Sequence, residues 1–315
     1  MAKVVRLDNH LHVGKVWGGR NEDTLADPAR CSEYLKANEI THAVVCYSDK
    51  ASMAELKKLS PGIKFYKLQW VTDLTQPLDR GIQGVKLHSH RGRLSGFQFG
   101  EPAEVGLDYN SKAVRQFLAK LPSGFIVQYH TQGSCSHVST SRPYIVGKLA
   151  VEFRHLKHVI VHSGAFGMRS FYPSTNDKNL LTTALSQEML VQEAVLMANR
   201  LANVYCDAST LTGPSHYKTD LLLTGTKKTA LSSDWPFSEK TPYGPVLKME
   251  QLASRFVGEE GVTALHANAV AWLDASMEDI YERFDPVADR FAGRSEVFQK
   301  VKAELDARKK NGKSK

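Results

Sequence analysis

The chain has 315 residues, of which 42% are hydrophobic and 23% charged, a composition that is typical of a globular protein and argues against extended disorder. Its length suits one large α/β barrel or two ordinary domains. The sequence contains no run of about 18 apolar residues, the length that would span a membrane. Five of the eight excess positive charges lie in Arg308–Lys315, so we interpret the basic balance as a solvated tail and do not expect a nucleic-acid partner.

The amino-terminal segment MAKVVRLDNHLHVG lacks the apolar stretch of a signal peptide and leads directly into a strand-like run. The four cysteines form no C-x-x-C pair, and both Cys46 and Cys206 lie inside apolar runs, a position that predicts buried reduced thiols. We therefore expect a cytoplasmic protein.

Short runs rich in β-branched and aromatic residues recur along the chain. Most of these runs are continuously apolar rather than alternating, a pattern that is typical of parallel strands covered on both faces. They predict eight strands, at Val4–Leu7, His42–Tyr47, Ile63–Val71, Gly84–Leu87, Phe125–Tyr129, His158–Val161, Val204–Cys206 and Thr229–Ser232.

Segments with helical spacing lie between most of these runs and continue after the last one. Asp27 can cap the first helix and Pro28 suits its first turn, whereas the short stretch Thr72–Gln83 carries the weakest helical signal. Further helices are predicted at Ser111–Leu121, Tyr144–His155, Leu180–Leu201, Tyr243–Phe256, Val262–Leu273, Met277–Phe284 and Ser295–Arg308.

Eight strands that alternate with helices, without an internal linker, predict an α/β fold. We expect a TIM (β/α)8 barrel with extra C-terminal helices over residues 1–300, followed by a basic, flexible tail at residues 301–315. The alternative is an open doubly wound sheet, but no G-x-G-x-x-G phosphate cradle follows the first strand.

Polar residues fall at the ends of four predicted strands. The first run finishes D-N-H-L-H, and its His10 and His12 project to the same face of an extended strand. His130 ends the fifth run, His162 ends the sixth and Asp234 closes the eighth. A single strand-end histidine is typical of a hydrogen-bonded structural residue, but in a barrel these four ends share one mouth. Together they supply nitrogen and oxygen ligands that suit zinc or another divalent metal.

These strand ends resemble the amidohydrolase superfamily, and most closely its amidohydrolase-related branch (amidohydrolase 2), which includes decarboxylases similar to aminocarboxymuconate-semialdehyde decarboxylase. The resemblance covers about residues 4–275 and extends to GVKLH at 84–88, HVIVHSG at 158–164, LSSDWPF at 231–237 and the late Asn268. It implies that one divalent metal is held by His10, His12, His130 and Asp234. It also implies that His162 lies close by as a polarising or proton-transferring group.

Two departures from the family pattern bear on the activity. The segment GVKLH is often followed by proline in the family, whereas Ser89 follows it here. The strand-four glutamate of the superfamily's deoxyribonuclease branch has no counterpart, which argues against a nuclease.

Lys86 leaves the number of metal ions open. Some superfamily members carboxylate a strand-four lysine to bridge two metals, whereas an unmodified Lys86 would be a buried cation or a substrate anchor. We expect one divalent ion, zinc with manganese as the alternative, and a second ion only with a carboxylated Lys86. Lys86, His88 and Arg91 are candidate substrate-binding residues, because a basic cluster suits a carboxylate-bearing substrate. A solvated loop or a subunit contact would explain the same cluster.

Three functions are compatible with these residues. The leading hypothesis is a hydrolase of a C–N or C–O bond in a small molecule, in which Asp234 accepts and returns the proton of a metal-activated water and His162 orients or polarises the substrate. The second is a non-oxidative decarboxylase of an unsaturated or aromatic acid. The third is a non-catalytic barrel that acts as a binding protein. Barrels of this branch often pair, so the resemblance also suggests a homodimer.

Overall fold

Eight parallel strands form one sheet in chain order in the computed structural model, which describes residues 4–14, 26–71, 73–89, 107–132, 142–166, 180–209, 224–237 and 244–284. This order confirms the predicted TIM barrel. The strands are β1 (Leu7–Val13), β2 (His42–Tyr47), β3 (Lys64–Val71), β4 (Gly84–His88), β5 (Ile126–Gln132), β6 (Lys157–Phe166), β7 (Val204–Asp207) and β8 (Thr229–Ala230).

The barrel closes between the short strand β8 and β1. Asn9 N–H donates to the Leu231 carbonyl at 3.1 Å, and His12 N–H donates to the Trp235 carbonyl at 2.9 Å. Asp234 N–H donates to His10 O at 2.8 Å in the opposite direction. The segment that follows β8 therefore continues the ladder along β1, and the closure runs through the polar residues that the sequence singled out.

Strand β1 begins where the first predicted strand was expected to end. All seven of its residues are buried, including the polar D-N-H-L-H motif. The apolar pattern of the sequence stops at Leu7 because the residues beyond it face a polar centre, whereas the backbone ladder continues to Val13. Strand β6 likewise extends beyond Val161 to Phe166.

Seven helices are found among the described residues: α1 (Pro28–Ala37), α2 (Lys50–Leu59), α3 (Lys112–Leu118), α4 (Pro143–Glu152), α5 (Leu180–Arg200), α6 (Val246–Asp274) and α7 (Met277–Glu282). Asp27 caps α1 as predicted, since its Oδ1 accepts from the backbone N–H groups of Ala29 and Arg30 at 2.9 and 3.0 Å. In the part of the chain that is described, no helix is both long and apolar enough to cross a membrane.

The helix predictions agree with the structure only in part. Helix α2 was not predicted, and the described part of Thr72–Gln83 contains no helix. The two helices predicted on either side of Gly258 are both present as the two arms of α6, which is kinked at that glycine because its φ of 71° is not helical. The predicted helix Ser295–Arg308 and the basic tail lie outside the described residues, so both stay predictions.

The strands divide the core into two layers. Residues such as Leu11, Val13 and Val45 pack between the sheet and the helices. A second set, which includes Leu7, Cys46 and Leu68, packs in the interior of the barrel. The side chains that follow the interior layer along β1 therefore point into the carboxyl-terminal mouth of the barrel.

Candidate metal centre

Strand β1 places the two imidazoles of the H-x-H motif side by side. The ring centroids of His10 and His12 are 4.8 Å apart, and the side chains are 0% and 3% exposed. The pairing of β1 with β2 shifts register between Asp8 and Leu11, an irregularity that lies at the motif itself. The structure thus brings the two histidines to one side of the strand.

Asp234 faces both of these imidazoles. Its Oδ1 lies 3.2 Å from His12 Nε2 and 3.6 Å from His10 Nε2. The residue has a left-handed φ of 55°, which is uncommon for a side chain other than glycine and is held here by the hydrogen bond to the His10 carbonyl. This backbone turn directs the carboxyl group into the mouth.

Three successive left-handed residues bring His162 into the same group. The φ angles are 62° at His162, 44° at Ser163 and 81° at Gly164. Glycine is required at 164 by its φ and by space, because a Cβ there would lie 2.8 Å from Pro143 Cγ. The His162 ring centroid lies 5.5 Å from that of His10.

Asp207, at the end of β7, fixes the direction of the hydrogen bonds around His162. Its Oδ1 accepts from the backbone N–H groups of Ser209 at 2.9 Å and His162 at 3.4 Å, and its Oδ2 accepts from the Asn9 amide at 3.3 Å. Both carboxyl oxygens are therefore acceptors, and the Ser209 hydroxyl donates its only proton to Asp207 Oδ1. Ser209 Oγ is left to accept from the neighbouring imidazoles.

This arrangement assigns the ring protons of three histidines. His162 Nδ1 lies 2.8 Å from Ser209 Oγ and 3.4 Å from the Ser209 carbonyl, so it carries the proton. In neutral His162, Nε2 then accepts from His130 Nδ1 at 3.1 Å, which leaves the His130 lone pair on Nε2. His10 Nδ1 lies 3.4 Å from the same hydroxyl and 3.8 Å from Asp207 Oδ2, so its lone pair is on Nε2, on the Asp234 side.

Burial determines the charges of the group. It lowers the pKa of His10 and of His12 well below the ordinary histidine value, with the nearby Lys86 cation as the next cause, so both rings are neutral at pH 7. Burial also raises the pKa of Asp234 well above the usual carboxyl range, and Lys86 offsets part of that effect. The two imidazoles are neutral, and the buried carboxyl group is costly to ionise without a cation nearby. A divalent ion would therefore be stabilised in this environment.

Two of the predicted substrate-binding residues lie beside this group, and the third lies outside the described residues. Lys86 is fully buried, and its Nζ lies 3.0 Å from His10 Nε2; burial lowers its pKa. His88 is half-buried and stacks on His130, with ring centroids 4.0 Å apart and an angle of 25° between the planes. Arg91 lies outside the described residues.

The donor atoms fit a divalent metal. One ligand atom from each of His10, His162 and Asp234 lies within 4.8 Å of the other two. Two atoms of the group, His12 Nδ1 and Asp234 Oδ2, are buried without a hydrogen-bond partner among the described residues, and such atoms in a polar site call for a bound ion or water. His130 contacts the group through His162, so the predicted set His10, His12, His130 and Asp234 stays a prediction.

Three neighbours of the group were not identified from the sequence. Asp207 ends β7 in the same way that Asp234 follows β8, so the strand-end rule applied to VYCDAS would have found it. Ser209 lies two residues further on and carries no signal of its own. Trp70, near the end of β3, packs against His12 and His88 with centroid distances of 4.9 and 5.3 Å.

No family model and no curated protein matches the sequence, but solved structures match its fold. A probable 2-pyrone-4,6-dicarboxylic acid hydrolase from Acinetobacter baumannii, with citric acid bound, is 16% identical with a TM-score of 0.53, and the match covers 85% of this chain and 99% of that one. A dihydroxybenzoic acid decarboxylase from Polaromonas sp. JS666, with manganese and the inhibitor 2-nitroresorcinol bound, is 14% identical with a TM-score of 0.53, over 85% and 96% of the chains. A 2,6-dihydroxybenzoate decarboxylase from Rhizobium is 13% identical with a TM-score of 0.50, over 87% and 99%.

At these identities the comparison establishes the fold. The matching structures are amidohydrolase-related enzymes, the branch that the strand-end residues resemble. This chain has the barrel fold of the amidohydrolase-related hydrolases and decarboxylases.

Proposed function

We propose that this protein is a metal-dependent hydrolase that cleaves a C–N or C–O bond in a small, carboxylate-bearing molecule. The observation that carries the proposal is the buried group in which Asp234 faces the neutral rings of His10 and His12, with the His162 ring beside them. A divalent ion held there, for which we propose zinc with manganese as the alternative, would activate a water molecule and polarise the scissile carbonyl group.

Asp234 is the proposed proton carrier. Its Oδ1 is held 3.2 Å from His12 Nε2, whereas Oδ2 is buried without a hydrogen-bond partner among the described residues. Oδ2 can therefore accept the proton of the attacking water and return it to the nitrogen or oxygen that leaves. We propose that His162, by accepting from His130 Nδ1, acts first by orienting His130 toward the centre.

Substrate carboxylate binding is proposed for the basic residues at the end of β4. Lys86 is buried against His10, and the half-buried His88 lies nearer the mouth on the stacked His130 ring. The two side chains would contact the carboxylate from the β4 side, and Arg91 is retained in this proposal on the sequence pattern alone.

Decarboxylation is the second candidate. Several structures with the same fold are decarboxylases, and the donor residues of this site are at most 4% exposed, a burial that suits a reaction which consumes no water. In that reaction the bond between the carbon and the carboxylate breaks, its electron pair stays on carbon, and Asp234 protonates that carbon as carbon dioxide leaves. A non-catalytic barrel is the third candidate, and the complete set of donor residues argues against it.

The experiment begins with elemental analysis of the purified protein. The Zn²⁺- and Mn²⁺-loaded forms are then screened against lactones, amides, and unsaturated and aromatic carboxylic acids, with acid release and carbon dioxide release measured in parallel. Hydrolysis predicts acid release without carbon dioxide, and decarboxylation predicts the reverse. A protein that binds no metal and turns over none of these classes would contradict both reactions and favour the non-catalytic barrel.

Asp234→Asn is the matching test of mechanism. We expect turnover to fall by at least about 10²-fold, because an amide cannot carry the proton, while the histidines retain part of the metal. Asp279→Asn is the control, since that carboxyl group caps α7 away from the centre. Unchanged turnover in Asp234→Asn would remove Asp234 from the catalytic role.

We also propose that the protein works in the cytoplasm on a small-molecule substrate. The described cysteines Cys31, Cys46 and Cys206 are buried free thiols, which supports a reducing compartment. A homodimer is proposed from the resemblance alone and is tested by light scattering on the purified protein.

A further inference from the structure

Cys46 lies on β2 directly beside the H-x-H motif. It is paired with His12 in the parallel β1–β2 ladder, and paired residues on neighbouring strands direct their side chains to the same face. The thiol is 0% exposed and belongs to the interior layer of the barrel. One ligand atom from each of Cys46, His10 and His12 lies within 4.8 Å of the other two.

This thiol has polar neighbours in addition to the apolar side chains of the interior layer. Cys46 Sγ donates to Gln128 Oε1 at 3.1 Å, and the Gln128 amide is itself anchored because it donates to the Asn9 carbonyl at 2.7 Å. Lys86 is paired with Gln128 in the β4–β5 ladder, so a buried cation lies in the same layer as the thiol. The nearby His12 keeps a buried Nδ1 without a hydrogen-bond partner among the described residues.

We infer that Cys46 is a thiolate ligand of the metal centre and forms an N₂S set with His10 and His12. The inference rests on the proposed metal-dependent function and adds a residue type that the strand-end pattern did not include. On binding, the S–H bond breaks, its proton leaves to solvent, and the sulfur electron pair forms the bond to the ion. Thiolate ligands favour zinc over manganese, so this set predicts zinc selectivity in a fold that holds manganese in the Polaromonas decarboxylase.

The test uses Co²⁺ added to the metal-free, full-length protein. A cysteine thiolate bound to Co²⁺ gives a sulfur-to-cobalt charge-transfer band in the near ultraviolet, which nitrogen and oxygen ligands do not give. We expect the band to grow in proportion to bound Co²⁺, to vanish in Cys46→Ser and to persist in Cys206→Ser, whose thiol is equally buried on β7. Cys46→Ser should also lower the ratio of Zn²⁺ to Mn²⁺ affinity by at least about tenfold.

A second variant keeps the test decisive if Cys46→Ser does not fold. The triple substitution Cys31→Ser, Cys135→Ser and Cys206→Ser leaves Cys46 as the sole thiol, and a retained band assigns the ligand. Co²⁺ binding without the band in the wild-type protein would overturn the inference while the metal-dependent function stands. Absence of any Co²⁺ or Zn²⁺ binding would contradict the proposed function and, with it, the thiolate ligand.

Discussion

Ser209→Ala tests whether one hydroxyl group fixes the ring protons of the histidines in the candidate metal centre. Ser209 Oγ accepts from His162 Nδ1 at 2.8 Å, lies 3.4 Å from His10 Nδ1 and donates to Asp207. Without it, His162 Nδ1–H loses its acceptor at 2.8 Å, and the Ser209 carbonyl at 3.4 Å is too distant for a good hydrogen bond. A buried hydrogen bond contributes about 0.5–1.5 kcal/mol, so the free energy of unfolding should fall by about that amount.

The larger effect is expected on metal affinity. If His162 shifts its proton to Nε2, His130 Nδ1 must become the acceptor, and the lone pair of His130 no longer lies on Nε2. Loss of such an outer partner costs about 10–100-fold in metal affinity, which corresponds to about 1.4–2.8 kcal/mol. His10 should lose less, because Asp207 Oδ2 remains 3.8 Å from its Nδ1.

The assay combines a chelator competition titration with Zn²⁺ and ¹⁵N NMR of the histidine rings, which reports the protonated nitrogen directly. Ser232→Ala is the matched control, because that buried hydroxyl at the same mouth has no hydrogen-bond partner in the described part of the chain. Equal Zn²⁺ affinity in the two variants, with unchanged ring protonation in Ser209→Ala, would refute the tautomer argument.

Three further predictions concern Lys86, His158 and the basic tail. Lys86→Met removes an ammonium group that lies 3.0 Å from His10 Nε2 and competes for its lone pair. One Zn²⁺ per chain should therefore bind about 2–10-fold more tightly. Weaker binding, or a drop from two bound ions to one, would show that Lys86 carries a metal as a carboxylated ligand. Burial lowers the pKa of His158, whose Nδ1 accepts from Tyr129 OH at 2.9 Å, to about 4. Between pH 6.5 and pH 4 the unfolded chain therefore binds a proton that the native state does not, and stability should fall with falling pH by up to about 3 kcal/mol. Urea titrations should show this loss reduced in His158→Gln, and an equal loss in the variant would contradict the assignment. Deletion of Arg308–Lys315 should leave Zn²⁺ affinity and turnover unchanged, and a large loss of either would show that the tail is more than solvated charge.

The sequence predicts the barrel because each strand carries its own signal. Continuous apolar runs mark parallel strands, and the seven runs after the first overlap the observed strands. The first apolar run, Val4–Leu7, meets β1 only at Leu7, because periodicity reports burial against apolar neighbours. His10 and His12 are as buried as Leu11, yet they face polar groups and interrupt the apolar pattern.

The centre was only partly predictable for a different reason. Strand-end positions in a barrel meet at one mouth, so His10, His12, His130, His162 and Asp234 could be grouped from the sequence. Which atom contacts which depends on the left-handed backbone at His162 and Asp234, a conformation that is uncommon for any residue other than glycine. No spacing rule predicts such a turn, because surrounding contacts stabilise it against the local preference.

Those contacts begin with Asp8, which lies two residues before the first histidine of the H-x-H motif. Its carboxyl group accepts from the backbone N–H and the hydroxyl of Ser233 at 2.9 and 2.6 Å and from Tyr34 OH on α1 at 3.1 Å. Asp8 therefore joins β1, the segment after β8 and α1 around the residue that immediately precedes Asp234. In this chain the aspartate of Asp8-Asn9-His10 has a structural role beside a histidine donor, so position in the motif alone does not identify a ligand. The Asp8 carboxyl group holds Ser233, which directly precedes the left-handed residue Asp234. That backbone turn in turn directs the Asp234 carboxyl group at His10 and His12.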